Sequence, residues 1–155
     1  IQKCTEIGVS RIVPIITQRT VVNTAPAKLE HRMMRWKKIA EEAAKQSMRM
    51  DIPEIAELLT FDEALKEIDR HHLSLIPWEQ ERNISLKKVL KDIDQSITKV
   101  AVFIGPEGGF SPDEAEMART HGAVPVSLGP RILRTETAAI AACSILMYEL
   151  GGMGG

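Results

Sequence analysis

The chain reads as an α/β protein, a mainly parallel sheet with flanking helices, and three observations predict it. Strand-like and helical patterns alternate from end to end. The runs RIVPIIT (11–17), HLSLIP (72–77), KVAVFI (99–104) and VPVSL (124–128) are largely apolar rather than alternating, as strands covered on both faces are. The connections between them are long enough to hold helices, which parallel neighbours require. A length of 155 residues suits one domain with a real core. With 44% hydrophobic and 26% charged residues, disorder is excluded, and no apolar run approaches the roughly 18 residues of a membrane span. No charged start followed by an apolar stretch marks a secretory signal. Cys4 and Cys143 are too few for a disulfide framework. They share no ligand spacing with His31, His71, His72 or His121, so no metal site is expected, and a reducing, cytoplasmic setting is.

The elements follow in order. Residues 1–7 read as the last turns of a helix, with Gly8 ending it. The β-branched run 11–17 predicts one buried strand. Residues 18–26, with Asn23, Pro26 and several threonines, form a loop. From Lys28 to about Met50 runs a long amphipathic helix. Met33, Trp36, Ala40 and Ala43 recur on its buried face, and Lys28, Arg32, Arg35, Lys38, Lys45 and Arg49 form a basic outer stripe. A short strand follows Pro53 over 54–58, then a helix from Phe61 to Ile68, the strand 72–77 and a short helix over 84–93. After the strand 99–104, SPDE (111–114) places Ser at the N-cap, Pro at the first helical position and Glu three residues after the Ser, a capping box that opens a helix. The last helix, from about Thr135 to Leu150, is apolar almost all round. That predicts full burial, in the core or against a second copy of the chain. GGMGG (151–155) offers little to pack and reads as a flexible tail. The start at Ile1, without Met and inside a helical pattern, reads as a cut from something longer.

Ligands bind at the carboxyl ends of parallel strands. Three loops sit there: LIPWEQ (75–80), IGPEGGF (104–110) and LGPRILRTETA (128–138). GPEGGF brings three glycines and a proline directly after a strand, and glycine lets a ligand approach the main chain. It matches neither GxxxxGK[ST] nor GxGxxG, and alone it could equally be a plain tight turn. The second Gly-Pro loop carries Arg131 and Arg134 into the last helix, where Thr135 or Thr137 could cap and Glu136 lies near the positive end. Arg134 is either a solvated arginine or one aimed at a substrate by a turn between rigid elements. Two matched Gly-Pro loops at neighbouring strand ends favour the second. Trp78 and Glu79 could line a pocket, with packing the weightier role for Trp78. The net charge of −1 conceals an asymmetry. Residues 1–50 hold 10 Lys or Arg against 4 Asp or Glu, and residues 51–155 hold 10 against 17, so the first segment could present a face to a polyanion.

IGPEGGFSPDE followed by SLGPRILRTETAA resembles the paired signature of the ribosomal RNA small subunit methyltransferase E family, part of the SPOUT superfamily of knotted methyltransferases. KCTEIGVSRIVPIITQRTVV and RWKKIAEEAAKQSMRMDIPEI are similar to that family's earlier blocks, and the resemblance spans residues 2–148. KQSMR (45–49) departs from the family's Glu-Gln-Ser/Cys-Gly-Arg at Lys45 and Met48, while Gln46 and Arg49 match. The resemblance implies methyl transfer from S-adenosylmethionine to N3 of a uridine in 16S ribosomal RNA. It implies a homodimeric methyltransferase domain over 1–150 whose C-terminal segment threads a trefoil knot, without the family's N-terminal PUA-like domain. It implies a bent cofactor against Leu75, Pro77, Ile104, Gly105, Pro106, Gly108, Gly109, Leu128, Gly129, Ile132, Leu133 and Thr137. Arg134 would steady the anion at N3 and Glu107 or Glu136 would take its proton, with no metal needed. Arg32, Arg35, Lys38, Gln46 and Arg49 would meet the RNA. Two other readings stand beside this one: a related SPOUT enzyme acting on tRNA or a ribose 2′-hydroxyl, and a non-catalytic RNA-binding module.

Overall fold

The structure, a computed structural model, describes residues 1–21, 25–94 and 96–152. Part of the expected loop 18–26, including Asn23, and residues 153–155 of the expected tail lie outside the described residues. Every strand pairing among the described residues is parallel, as apolar runs with helix-length connections predict. The largest sheet has three strands. Its central strand β5 (Leu73–Pro77) lies between β6 (Val100–Val102) and β7 (Val124–Val126), with Leu75 opposite both Val102 and Val124. Pro125 sits in β7, an edge strand, where a missing N–H costs no ladder bond on the open side.

The run 11–17 is not one buried strand. It divides into β1 (Arg11–Ile12) and β2 (Ile15–Ile16), both half-buried. Pro14 lies between them and has no N–H to give to a ladder, although its carbonyl accepts the Leu59 N–H at 3.0 Å. The stretch after Pro53 divides to match. β3 (Glu54–Ile55) pairs with β1, and β4 (Leu59–Thr60) pairs with β2.

Helix α1 (Gln2–Ile7) ends as expected at Gly8, whose φ of 115° reverses the chain. Helix α2 (Pro26–Gln46) begins two residues before the expected start, with its proline in the first turn, where an N–H is not missed. It also ends earlier than expected. Met48 N–H bonds to Lys45 O at 3.2 Å and Arg49 N–H to Ala44 O at 2.9 Å, the paired bonds of a Schellman motif, with Met48 at φ 55°. The buried face of α2 carries Ala40, Ala43 and Ala44, with Met33 and Trp36 half-buried. Helix α3 (Phe61–Leu65) opens with a capping box of Thr60 and Glu63, a T-x-x-E signature, and a 3-10 turn follows at Ile68–Arg70. Helix α4 (Leu86–Lys91) is capped by Ser85, which accepts the Lys88 N–H at 3.1 Å. Helix α5 (Pro112–Thr120) has the predicted capping box of Ser111 and Glu114.

The sheet is packed on both faces. Successive residues of β5 point to opposite sides, so Ile76 joins Phe61, Leu65, Phe103, Phe110 and Ala118, while Leu75 joins Leu86, Leu90, Val126 and Leu146. The ring of Phe61 meets Phe103 edge-on with centroids 6.1 Å apart. Leu146 belongs to α6 (Thr135–Glu149), whose N-cap is Arg134; neither Thr135 nor Thr137 caps it. Nor is α6 fully buried within the chain. Ala142 and Leu146 are, but Ile140 is 37% exposed, Ile145 42% and Tyr148 69%. Cys4 and Cys143 are free and half-buried on α1 and α6, helices in contact with each other. A hydrogen bond between their thiols draws the Cys4 thiol down to about 6, against the effect of burial, and pushes Cys143 up. Among the described residues no helix is long and apolar enough to cross a membrane, and no three His, Cys, Asp or Glu side chains converge on a metal position.

Candidate functional site

A cavity of about 650 Å³ opens at the carboxyl ends of β5, β6 and β7, where three loops converge. The first loop leaves β5 through Pro77, Trp78 and Glu79. It is tied to β7 by Trp78 N–H donating to Val126 O at 3.0 Å. The Trp78 indole N–H donates to Phe110 O at 3.2 Å, so this residue packs and lines the cavity at once. Further along, the buried carboxylate of Glu81 accepts the N–H groups of Asn83 at 2.7 Å and Ile84 at 3.0 Å. Those bonds hold its pKa below the ordinary 4.5. The turn they fix leads to Ile84 O, which accepts the Ser127 N–H at 2.8 Å and joins the first loop to the third.

The second loop contains Ile104, Gly105, Pro106, Glu107, Gly108 and Gly109, all at the cavity. Gly109 N–H closes a turn onto Pro106 O at 2.9 Å, with Gly109 at φ 66°. A Cβ on Gly109 would stand 2.7 Å from a Glu79 carboxylate oxygen, and one on Gly105 would stand 3.1 Å from the Phe110 ring. At Gly109 the left-handed φ favours glycine, and at Gly105 the Phe110 ring leaves little room for a side chain. The third loop starts at Ser127, whose hydroxyl accepts the Gly129 N–H at 3.2 Å. Gly129 turns the chain at φ 121°, and Pro130, Arg131, Ile132, Leu133 and Arg134 follow along the cavity wall. Ile132 is 82% exposed.

The cavity thus gathers the expected Pro77, Ile104, Gly105, Pro106, Gly108, Gly109, Leu128, Gly129, Ile132 and Leu133, together with Glu107, Arg134 and Glu136. Leu75 and Thr137 are not at its wall. Leu75 lies two residues inside the strand end and is 1% exposed in the core, and Thr137 is on an exposed side of α6. Arg82, Phe110, Ser127, Thr135 and Ala138 also line the cavity, none of them among the residues expected to hold the cofactor. The bridge between Ser85 and Ser127 brings Arg82 here, a long-range contact with no local sequence signal. Three carboxylates (Glu79, Glu107, Glu136) and three guanidiniums (Arg82, Arg131, Arg134) ring the cavity. Among the described residues none of these six is held in a hydrogen bond or salt bridge. A ligand with both hydroxyl and charged groups would find donors and acceptors ready.

The expected RNA-facing residues lie on α2 and just beyond it. Arg35, Lys38 and Gln46 are exposed and Arg32 is half-buried. Lys38 has Glu42 at 4.0 Å, so part of the stripe is locally compensated. Arg49 donates to Thr5 O at 2.7 Å and Val9 O at 2.9 Å, which fastens the end of α2 to the end of α1.

The RNA methyltransferase domain family matches residues 1–147. The chain belongs to that family. Within it, the relatives carry the name that the two Gly-Pro loops imply. The chain is similar to the ribosomal RNA small subunit methyltransferase E of Bacillus subtilis (strain 168), with 34% identity over 152 residues, 96% of this chain and 59% of that protein. With the enzyme of the same name from Aquifex aeolicus (strain VF5), identity is 36%, over 95% of this chain and 60% of that one. The chain therefore spans about three fifths of the length of these curated relatives. Among solved structures, it is similar to ribosomal RNA small subunit methyltransferase E from Neisseria gonorrhoeae bound to S-adenosyl methionine, with a TM-score of 0.82 and 32% identity over 95% of this chain and 58% of that one. A Legionella pneumophila structure in complex with bound SAM superposes with a TM-score of 0.86 and 39% identity, covering 95% of this chain and 58% of that one.

Proposed function

We propose that this domain transfers a methyl group from S-adenosylmethionine to N3 of a uridine in small-subunit ribosomal RNA, as a cytoplasmic homodimer with a C-terminal trefoil knot. The single observation that carries the reading is the cavity built jointly by the two Gly-Pro loops, in a fold similar to a ribosomal RNA methyltransferase with S-adenosyl methionine bound. The residues present fit such a cofactor. Gly105 and Gly109 keep side-chain bulk away from the wall, Ile132 and Leu133 offer apolar surface, and the carboxylates and guanidiniums around the cavity can meet ribose hydroxyls and the methionine end. The cofactor, when bound, supplies an electrophilic methyl group.

The rest falls to the chain. Uridine N3 carries a proton and is a poor nucleophile until that proton leaves. Arg134, at the N-cap of α6 and on the cavity wall, stabilises the negative charge that develops on the ring. Glu107 or Glu136 accepts the proton. The three loops hold base and methyl donor side by side, so orientation supplies much of the rate. Arg32, Arg35, Lys38 and Gln46 contribute phosphate contacts that set register without reading sequence, while Arg49 holds the end of α2 in place behind them. The exposed Ile140, Ile145 and Tyr148 of α6 support a second copy as the covering partner.

The test is nucleoside mass spectrometry of small-subunit ribosomal RNA after incubation with the protein and S-adenosylmethionine. N3-methyluridine is expected. Appearance of 2′-O-methylated nucleosides instead would overturn the choice of acceptor. Arg134→Ala should lower the methylation rate by about 10²–10³-fold, the usual effect of removing one preorganised donor, while cofactor binding persists.

A further inference from the structure

We propose that the turn Thr17–Thr20 braces the second loop of the cavity from behind, and that Arg19 is a positioning residue for the cofactor. The proposal rests on the reading of that cavity as the S-adenosylmethionine site.

Arg19 does not line the cavity; it acts through Gly108, which does. Its Nη1 donates to Gly108 O at 2.7 Å. Its aliphatic stem lies flat on the same residue, with Cβ and Cδ each 3.3 Å from where a Gly108 Cβ would stand. A second tie lies next to the first. Gln18 N–H donates to Glu114 Oε1 at 2.7 Å, and Glu114 Oε2 accepts the Ser111 N–H at 2.9 Å. Glu114 is buried, so this carboxylate joins the turn to the far end of the glycine loop in a water-poor setting. The turn is itself rigid. Thr20 Oγ1 accepts the Thr17 N–H at 2.9 Å and lies 2.7 Å from Thr17 Oγ1, while Thr20 N–H returns to Thr17 O at 3.1 Å.

The physical need is clear from the composition of the loop. A segment with three glycines has much backbone freedom to lose when a ligand orders it. Bracing from outside removes that freedom before the cofactor arrives, so less binding energy is spent on ordering. The groups that act on the uridine are not touched by Arg19. Its loss should therefore weaken cofactor binding and leave turnover at saturating cofactor nearly unchanged.

The experiment is calorimetric titration of S-adenosylmethionine into the wild-type chain, Arg19→Ala and Arg19→Lys, with thermal unfolding of each in the absence of cofactor. Arg19→Ala should raise Kd about tenfold, with an unfolding temperature close to wild type. Arg19→Lys, which keeps the stem and one charged donor, should recover most of the affinity. A Kd for Arg19→Ala within twofold of wild type overturns the proposal. So does a loss of affinity that Arg19→Lys shares in full. Should Arg19→Ala not fold, Arg19→Gln replaces it under the same criteria. Should the wild-type chain bind no S-adenosylmethionine, the reading of the cavity fails, and the brace is judged by amide hydrogen exchange at 108–110. Faster exchange in the folded variant supports it, and unchanged exchange overturns it.

Discussion

Met48 departs from the glycine of the family's pattern, and the structure gives that departure a physical meaning. It occupies the left-handed turn of the Schellman motif at φ 55°, with a side chain 89% exposed, so little burial offsets the strain. A non-glycine residue there costs roughly 1–2 kcal/mol, and glycine's greater freedom in the unfolded chain returns part of the gain on replacement. Met48→Gly should stabilise the fold by about 0.5–1 kcal/mol and raise the thermal midpoint by about 1–4 °C in a scanning calorimeter. The sequence singled out Met48 as unusual but placed it inside α2, because the periodicity carries on to Met50 while the hydrogen bonds stop at Ser47. Arg49 shows the same limit. Its pattern makes it one of a basic stripe, but its guanidinium is held by Thr5 O and Val9 O, partners 44 and 40 positions away in the chain.

At the scale of elements, α6 shows how composition can be read correctly and still leave its consequence open. A helix apolar all round predicts burial, yet one chain covers only the side bearing Ala142 and Leu146. If a second copy covers the remainder, the double variant Ile140→Glu, Tyr148→Glu should turn a dimer into a folded monomer in sedimentation velocity, since two unpaired charges cannot be buried in such an interface. A wild-type chain that sediments as a monomer at the same concentration would rule out this pairing. The strands teach a complementary lesson. The parallel sense of the pairing is legible from largely apolar runs with helix-length connections, but the sequence merges β1 and β2 because β-branched residues flank Pro14 on both sides. Only the ladder reveals that proline interrupts it.

For the molecule as a whole, several carboxylates link folding to acid. The Arg11 guanidinium holds the Glu67 pKa below the ordinary 4.5, the Asn83 N–H does so for Glu81, and the Thr60 N–H does so for Glu63. A carboxylate whose pKa is lowered by folding contributes stability that is complete above its unfolded value and lost as pH falls through the folded one. The urea midpoint should therefore fall as the pH drops below about 4.5, and Glu67→Gln should flatten that fall. Elevation of the midpoint on acidification would contradict this account. The amino-acid sequence by itself determined the α/β class, the parallel pairing, both predicted helix ends at Gly8 and Ser111, and the two Gly-Pro loops of the site. All of these rest on local periodicity, capping and turn chemistry. Tertiary structure alone decided that Leu75 is sealed in the core, that Arg82 reaches the cavity and that Arg19 backs Gly108. Each of those depends on which distant segments meet when both faces of the sheet are buried, a matter of packing that no window of neighbouring residues contains.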